Sequence, residues 1–291
     1  MRPLDPTQVS NWHSYLEFEE KQGDRKRICF LYERCLVPCA FYEEFWSKYT
    51  KYLIKADDAE AALPVYLKAL EFVPRHQPRI RIELCNYYEK QKNPNEARLL
   101  FTELIKRNPK HLESVLAFAN FERRQQNFDR VIEIYESALN SIDQGAGILV
   151  SSFALFCFSA LNDYEKALDI FRNGFEKSKG SLYYFLRLVE FESMSKTKPA
   201  EQTQSSEETL SLLSFDLVKT SDLELNDALT VLKLLREVAE DFYSLELVDE
   251  IDYFMEQKMQ EKPKAIPNAK KIKTEHQSHA AAWIAQSQQI Q

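Results

Sequence analysis

The sequence predicts an all-α protein, an α-solenoid made of helix-turn-helix repeats of about 35 residues each. Three observations lead to this fold class. Only five of the 291 residues are glycine, well under the usual share of about 7%, so tight turns and glycine-rich loops must be few. Leu, Glu, Lys and Ala, which favour helix, are abundant instead. Aromatic residues also recur along the chain at a nearly constant interval.

Two parallel series of aromatic residues define the repeat. Neighbouring members of each series are 33 to 36 residues apart, which is the length of one helix pair. The first series is Tyr32, Tyr66, Phe101, Tyr135 and Phe171. The second series is Phe18, Tyr52, Tyr88, Phe121, Phe156 and Phe191. Polar stretches with turn composition separate the two series, at 22–24, 55–58, 91–95, 125–127 and 161–163.

The first repeat shows why the units must stack. Apolar residues recur at helical spacing in both of its helices. The first helix carries Trp12, Tyr15, Leu16 and Glu19 on one face. The second carries Ile28, Leu31, Tyr32, Cys35 and Leu36. One such hairpin cannot bury its apolar face alone, whereas a stack of hairpins buries a continuous core. The aromatic rings are therefore interpreted as core residues rather than as platforms for nucleic-acid bases.

Composition divides the chain into four parts. Residues 1–194 are predicted to hold five complete repeats and the first helix of a sixth. The polar, serine-rich stretch 195–208 is predicted to be a disordered insertion. Helical periodicity resumes over 209–260, predicted to form C-terminal helical repeats, and 261–291 is predicted to be a flexible tail.

The charge does not favour nucleic acid as the main partner. The net charge is −7, whereas proteins that bind phosphates usually carry a basic excess. Five lysines without an acidic residue lie within 262–273. That segment is interpreted as a solvated tail, with a nuclear import signal or a weak RNA contact as alternatives.

Nothing in the sequence indicates catalysis, a cofactor or a metal. The motifs GxGxxG, GxxxxGK[ST], GxSxG, HExxH and CxxC are all missing. Cys35 and Cys39 are four apart, but no histidine has ligand-like spacing to them, so they are interpreted as buried structural thiols. The N-terminus has no apolar signal core, which predicts an intracellular, reducing compartment. The most apolar run, 147–161, is too short and serine-rich to span a membrane.

Glutamates at one position recur from repeat to repeat. Glu19, Glu89, Glu122 and Glu192 each follow an aromatic residue of the first helix and lie near its apolar face. A catalytic carboxylate is needed once, whereas a bond between stacked units is needed at every joint. We therefore predict a structural role, with Arg or Tyr side chains of a neighbouring helix, such as Arg34, as partners.

The repeat resembles the HAT (half-a-TPR) repeat. Its first helix carries an aromatic, a second aromatic and a glutamate, as in NWHSYLEFEE, and its second helix carries the string YERCL. Residues 4–55 closely resemble the C-terminal HAT domain of the pre-mRNA-processing factor thirty-nine family, most strongly in FYEEFWSKYTKYL. The motif positions are Trp12, Tyr15, Phe18, Glu19, Tyr32, Glu33, Arg34, Phe45, Trp46, Tyr49, Tyr88, Glu89, Phe121, Glu122, Tyr135, Glu136, Phe191 and Glu192.

The resemblance implies a function in the nucleus. It implies a non-catalytic scaffold that bridges proteins of the U1 small nuclear ribonucleoprotein during recognition of the 5′ splice site, with RNA contact indirect or weak. Two alternatives remain open. The first is a HAT-repeat scaffold of the cleavage and polyadenylation machinery, and the second is a direct RNA-binding repeat protein.

The resemblance also implies a homodimer, or a heterodimer with a paralogue, formed through the C-terminal repeats. The helices predicted over 222–260 carry many apolar residues, although the terminal unit of a solenoid normally has a polar outer face. A partner is therefore expected to cover them. The candidate interface residues are Leu225, Leu229, Leu232, Leu235, Leu247, Val248 and Phe254.

Overall fold

A computed structural model describes residues 4–197, 209–243 and 245–260. In these ranges the regular structure is entirely helical, so the predicted all-α fold is confirmed. The helices are α1 (Pro6–Gln22), α2 (Arg25–Cys35), α3 (Glu43–Lys55), α4 (Ala59–Phe72), α5 (Arg79–Lys90), α6 (Pro94–Arg107), α7 (Leu112–Arg124), α8 (Phe128–Ser141), α9 (Ala146–Ala160), α10 (Tyr164–Ser178), α11 (Leu182–Thr197), α12 (Thr209–Lys219), α13 (Leu225–Phe242) and α14 (Leu245–Gln260).

The chain divides into two compact units, Met1–Ser178 and Lys179–Gln291, here called the N-terminal and C-terminal units. The N-terminal unit contains α1 to α10, which form five consecutive helical hairpins. Each helix packs against the next helix along the chain, and α3 also packs against α5. Contacts between neighbours in sequence are what distinguish a solenoid from a bundle closed around one core.

Every hairpin of the N-terminal unit turns on one residue in the left-handed region. These residues are Gly23, Asp57, Lys92, Gln126 and Asn162, with φ between 53° and 82°. The residue that follows each of them is Asp or Asn, the types preferred at a helix N-cap: Asp24, Asp58, Asn93, Asn127 and Asp163. The turns therefore end one helix and begin the next within two or three residues.

The C-terminal unit consists of four described helices. Helix α11 packs against α12 and α13, and α13 forms a hairpin with α14. Its core includes Leu188, Phe215, Leu232 and Ile251, all fully buried.

One predicted boundary lies elsewhere in the structure. The disordered insertion was expected to begin at residue 195, whereas α11 continues to Thr197. Ser195 is buried, and its hydroxyl donates a hydrogen bond of 2.7 Å to the carbonyl of Glu192, so this polar side chain is satisfied within the helix. The rest of the predicted insertion, 198–208, and the predicted tail, 261–291, lie outside the described residues.

Candidate functional site

Aromatic pairs join each repeat of the N-terminal unit to the next. In every case a ring of the first aromatic series, on the second helix of one hairpin, meets a ring on the first helix of the following hairpin. The centroid distances are 4.7 Å for Tyr32 and Tyr49, 5.7 Å for Tyr66 and Tyr87, 5.2 Å for Phe101 and Phe118, and 5.0 Å for Tyr135 and Phe153. Three pairs stack within 17° of parallel, and the Tyr66–Tyr87 pair is tilted by 48°. These pairs define the joints of the array.

Ion pairs connect the first helices of successive repeats. The pairs are Glu17–Lys48 at 3.5 Å, Lys51–Glu83 at 2.7 Å and Glu89–Arg124 at 2.6 Å. Arg124 holds Glu89 through two hydrogen bonds, and Gln125 adds a third of 3.2 Å. The residues predicted from the sequence did not include Glu17, Lys48, Lys51 or Glu83. A search for opposite charges separated by nearly one repeat length would have found them.

Each of the three buried motif glutamates accepts a hydrogen bond from a residue on another helix. Glu19 accepts a hydrogen bond of 2.7 Å from Arg27 on the neighbouring helix α2. Glu122 is fully buried and accepts bonds of 2.6 and 3.0 Å from Arg98 on α6. Glu192 accepts a bond of 2.7 Å from Ser214 on α12. The suggested partner Arg34 is exposed instead, because it lies on the outer side of α2.

The environment of Glu122 keeps it ionised inside the core. Burial alone would raise the pKa of this carboxyl group. The hydrogen bonds from Arg98 and from Asn127, the latter of 2.8 Å, outweigh burial and hold the pKa below its usual range. The glutamate thus joins the preceding repeat to the turn of its own hairpin.

The segment between the first and second repeats is tightly packed. Phe45 is fully buried and stacks on His13, with a centroid distance of 4.5 Å. The indole N–H of the buried Trp46 donates a bond of 2.8 Å to the carbonyl of Ala40, and its ring stacks on Phe72. The hydroxyl of the buried Tyr32 donates to Glu20 on α1.

The remaining motif residues differ in exposure. Trp12 and Tyr88 are partly buried against the core, whereas Phe121, Tyr135 and Phe191 are buried in it. Glu33 is exposed and lies 3.4 Å from Lys68, and Glu136 is exposed as well.

Two aromatic residues of the motif were expected to lie in the core but are exposed. Tyr15 is 46% exposed and Phe18 is 55% exposed. Leu16 and Glu19 occupy the buried side of α1. Tyr15 and Phe18 lie on other sides of the same helix, since neighbouring positions on a helix point in directions about 100° apart.

Four of the five cysteines are core residues in this structure, and Cys29 is partly buried. Cys35, Cys39, Cys85 and Cys157 are fully buried. Burial raises the pKa of the Cys85 thiol to about 12 and that of Cys157 to about 11, which disfavours the reactive thiolate. The described part of the chain contains no group of three or more His, Cys, Asp or Glu residues arranged to hold a metal ion.

The predicted dimer surface must be corrected. Leu232, Leu235, Leu247 and Val248 are at most 7% exposed, because they pack inside the chain's own α13–α14 hairpin and its surroundings. Leu225 and Leu229 are half-buried, and the half-buried Phe254 packs edge-on against Phe215. The apolar residues of α13 and α14 do recur at helical spacing, as predicted. They lie on the side of these helices that faces the core of the unit rather than on the outer surface. The large apolar residues exposed on α13 and α14, and next to their connection, are Leu234, Phe242, Leu245, Tyr253 and Met259.

Among the described helices, none combines the length and the apolar character needed to cross a bilayer.

Fold and joints together define a helical-repeat protein of the α-solenoid class, in which paired helices stack through matching aromatic contacts. Within that class, residues 1–124 match the family model described as the PRP39 C-terminal HAT repeat. This part of the chain belongs to the PRP39 C-terminal HAT-repeat family.

Relatives support the same family. The chain is 30% identical over 200 residues to Pre-mRNA-processing factor 39 of Schizosaccharomyces pombe, an alignment that covers 66% of this chain and 33% of the relative. It is 31% identical over 198 residues to Pre-mRNA-processing factor 39 of Xenopus laevis, covering 66% and 30%. The chain therefore spans about a third of the length of these relatives. Cleavage stimulation factor subunit 77 of Arabidopsis thaliana is 22% identical over 194 residues, covering 64% and 26%.

Proposed function

We propose that the chain is a non-catalytic scaffold in pre-mRNA splicing. In this proposal it acts in the nucleus and bridges proteins of the U1 small nuclear ribonucleoprotein during recognition of the 5′ splice site. The observation that carries the proposal is the match of residues 1–124 to the PRP39 C-terminal HAT repeat, together with relatives named Pre-mRNA-processing factor 39.

The physical character of the array supports a scaffold. Stacked hairpins present an extended surface to protein partners. The buried carboxylates Glu19 and Glu122 join helices of the array. Glu192 joins two helices of the C-terminal unit in the same way. The net charge of −7 disfavours a long contact with RNA, so RNA contact is proposed to be indirect or weak.

Co-purification tests this function. The tagged full chain is recovered from nuclear extract beside a tag-only control, and bound proteins and RNAs are identified. U1 RNA and U1 proteins are expected to be enriched. Enrichment of cleavage and polyadenylation factors instead would contradict the proposal and favour the second candidate, which the similarity to cleavage stimulation factor subunit 77 supports.

Direct RNA binding is the third candidate, and it needs a separate measurement. Binding of the purified chain to single-stranded RNA is measured at low and at physiological salt. Tight binding that falls steeply with salt, and that is lost on deleting 262–273, would favour a direct RNA-binding protein. We expect weak binding at physiological salt.

We also propose that the C-terminal unit pairs with a second copy of the chain or with a paralogue. Five large apolar side chains of α13, α14 and their connection are between 37% and 78% exposed: Leu234, Phe242, Leu245, Tyr253 and Met259. Apolar surface of this kind favours association when a matching surface covers it.

Light scattering on the purified chain tests the pairing. The mass is expected to be that of a dimer, and Leu245→Asp combined with Tyr253→Asp is expected to give a monomer, because two charges then enter the apolar surface. Leu99→Asp, at an exposed leucine of α6, is the matched control and should leave the dimer intact. A monomer mass for the unaltered chain at every concentration would contradict the proposal.

A further inference from the structure

A small cavity opens between the second and third repeats of the N-terminal unit. Its volume is about 170 Å³, and three arginines line it: Arg75, Arg81 and Arg107. Arg75 lies between α4 and α5, Arg81 lies on α5, and Arg107 is the last residue of α6. Glu103 and Asn108 complete the polar lining, and leucines of α4 and α6 form the apolar walls.

The loops around the cavity are held in place. The guanidinium of Arg81 donates bonds of 3.2 Å to the carbonyl of Val73, 3.2 Å to that of Pro74 and 2.8 Å to that of Gln77. Asn108 donates a bond of 3.4 Å to the carbonyl of Arg75. These bonds join the connection between α4 and α5 to α5 itself and to the residue that follows α6.

The cavity carries an excess of positive charge. Glu103, which pairs with Arg107, is the sole acidic residue among the lining residues, against three arginines. Burial lowers the pKa of Arg81, and the charge of Glu43 opposes this effect. Repulsion from Arg107 and Arg75 lowers the pKa further, while Glu103 raises it. An anion placed among the three guanidinium groups would relieve this repulsion. The excess is notable in a chain whose net charge is −7.

We propose that this cavity binds an anionic side chain of a partner peptide, a phosphorylated residue or an Asp or Glu, that lies next to an apolar residue. Arginine clusters recognise phosphate and carboxylate groups through paired N–H donors. Arg75 and Arg107 supply these donors, since three donor bonds of Arg81 already go to the backbone. The leucine walls accept the neighbouring apolar side chain.

The lining fits a peptide better than RNA. Proteins that bind single-stranded RNA combine a long basic groove with aromatic rings on which bases stack. The lining residues of this cavity include no aromatic ring, and their positive charge is confined to one small site. A peptide with one anionic side chain matches both features.

An oriented peptide library tests the proposal on the full chain. Peptides with a central phosphoserine, glutamate or serine, flanked by three degenerate positions on each side, are selected on the purified protein. The phosphoserine and glutamate libraries are expected to bind, with apolar residues enriched at a flanking position, and the serine library is expected not to bind. The ratio between the two anionic libraries distinguishes a phosphate from a carboxylate ligand.

Variants then assign the binding to the cavity. Combining Arg75→Gln with Arg107→Gln is expected to weaken the best selected peptide at least about tenfold in fluorescence polarisation. Lys106→Gln, which removes a charge from an exposed neighbour on the same helix, is the matched control and should change binding less than about twofold. Glu103→Gln is expected to tighten binding by about twofold to fivefold, because it removes the competing carboxylate.

Three outcomes would overturn the proposal. The first is equal selection of the serine library, which would mean that the protein does not distinguish an anionic side chain from an uncharged one. The second is equal loss of binding in Lys106→Gln and in the double arginine variant. The third is selective binding of a ten-nucleotide uridine RNA, lost in the arginine variant, when no anionic peptide binds.

Discussion

At the scale of single residues, ten of the twelve largest fully buried side chains among the described residues are aromatic. The period of 33 to 36 residues identified five of them from the sequence: Tyr32, Phe101, Phe121, Phe171 and Phe191. It could not identify the exposure of Tyr15 and Phe18, because their burial depends on which sides of α1 have a neighbour rather than on spacing along the chain.

Trp46→Ala is expected to lower the free energy of unfolding by about 3–5 kcal/mol. The ring is buried, stacks on Phe72, and its N–H satisfies the carbonyl of Ala40, which the variant would leave without that donor. Urea unfolding followed by circular dichroism measures the change, with Phe18→Ala, at an exposed ring, as a control expected to cost under about 1 kcal/mol. A stable Trp46→Ala protein that has lost a binding partner would instead make Trp46 a contact residue.

Glu122→Gln is expected to make stability less dependent on pH. The folded-state pKa of Glu122 lies below its ordinary value of 4.5. Its ionised form therefore stabilises the fold fully above that value, and this contribution is lost as the pH falls through the lower folded pKa. The variant should be less stable by roughly 1–2 kcal/mol at pH 7, with the difference shrinking below about pH 4.5.

The measurement is urea unfolding of both proteins between about pH 7 and about pH 3, so that the range extends well below the ordinary pKa of 4.5. Glu136→Gln, at an exposed glutamate, is the control and should follow the unaltered protein at every pH. A stability difference that stays constant across this range would show that the charge of Glu122 contributes nothing.

At the scale of elements, the positions of the hairpin turns could be predicted from the sequence, but the backbone conformation within each turn could not. The polar stretches located all five turns. The left-handed residue within each turn could not be predicted, because four of the five are Asp, Lys, Gln and Asn rather than glycine. Asp and Asn tolerate this conformation better than Lys or Gln, so Lys92 and Gln126 are the strained positions. Similarly, polar composition did not predict the end of α11, since Ser195 bonds within its own helix.

Gln126→Gly is expected to raise the free energy of unfolding by about 0.5 kcal/mol. Glycine removes the strain at φ of 60°, and this gain slightly exceeds its entropic cost in the unfolded chain. Gln126→Val, with a β-branched side chain at the same position, should lower stability by more than about 1 kcal/mol. Urea unfolding of the two variants measures both effects, and equal stability would mean that the turn relaxes without strain.

At the scale of the whole molecule, the N-terminal unit is expected to fold without the rest of the chain. Its five hairpins pack on their neighbours in sequence, and the last two helices are in close contact, since a Cβ added at Gly174 on α10 would lie 2.4 Å from Val150 on α9. A fragment of residues 1–178 should therefore be helical and unfold cooperatively in circular dichroism.

Truncation inside the last hairpin is the matched control. A fragment of residues 1–160 lacks α10 and leaves the apolar helix α9 uncovered, so it is expected to aggregate or to unfold without cooperativity. Loss of cooperative unfolding in the 1–178 fragment would mean that the N-terminal unit depends on the C-terminal unit.

The recurring aromatic pairs have a consequence for how such an array can change its length. Removing residues 58–92 would delete α4 and α5 with their Tyr66–Tyr87 contact and join Asp57 to Asn93, turn to turn. The pairs Tyr32–Tyr49 and Phe101–Phe118 would survive, since neither has a member in the deleted stretch. Deleting only one of the two helices, α4 or α5, would remove one ring of the Tyr66–Tyr87 pair and leave the other ring without its aromatic partner. Insertions or deletions of whole repeats keep the remaining aromatic pairs intact, so the fold tolerates changes of length by about 35 residues at a time.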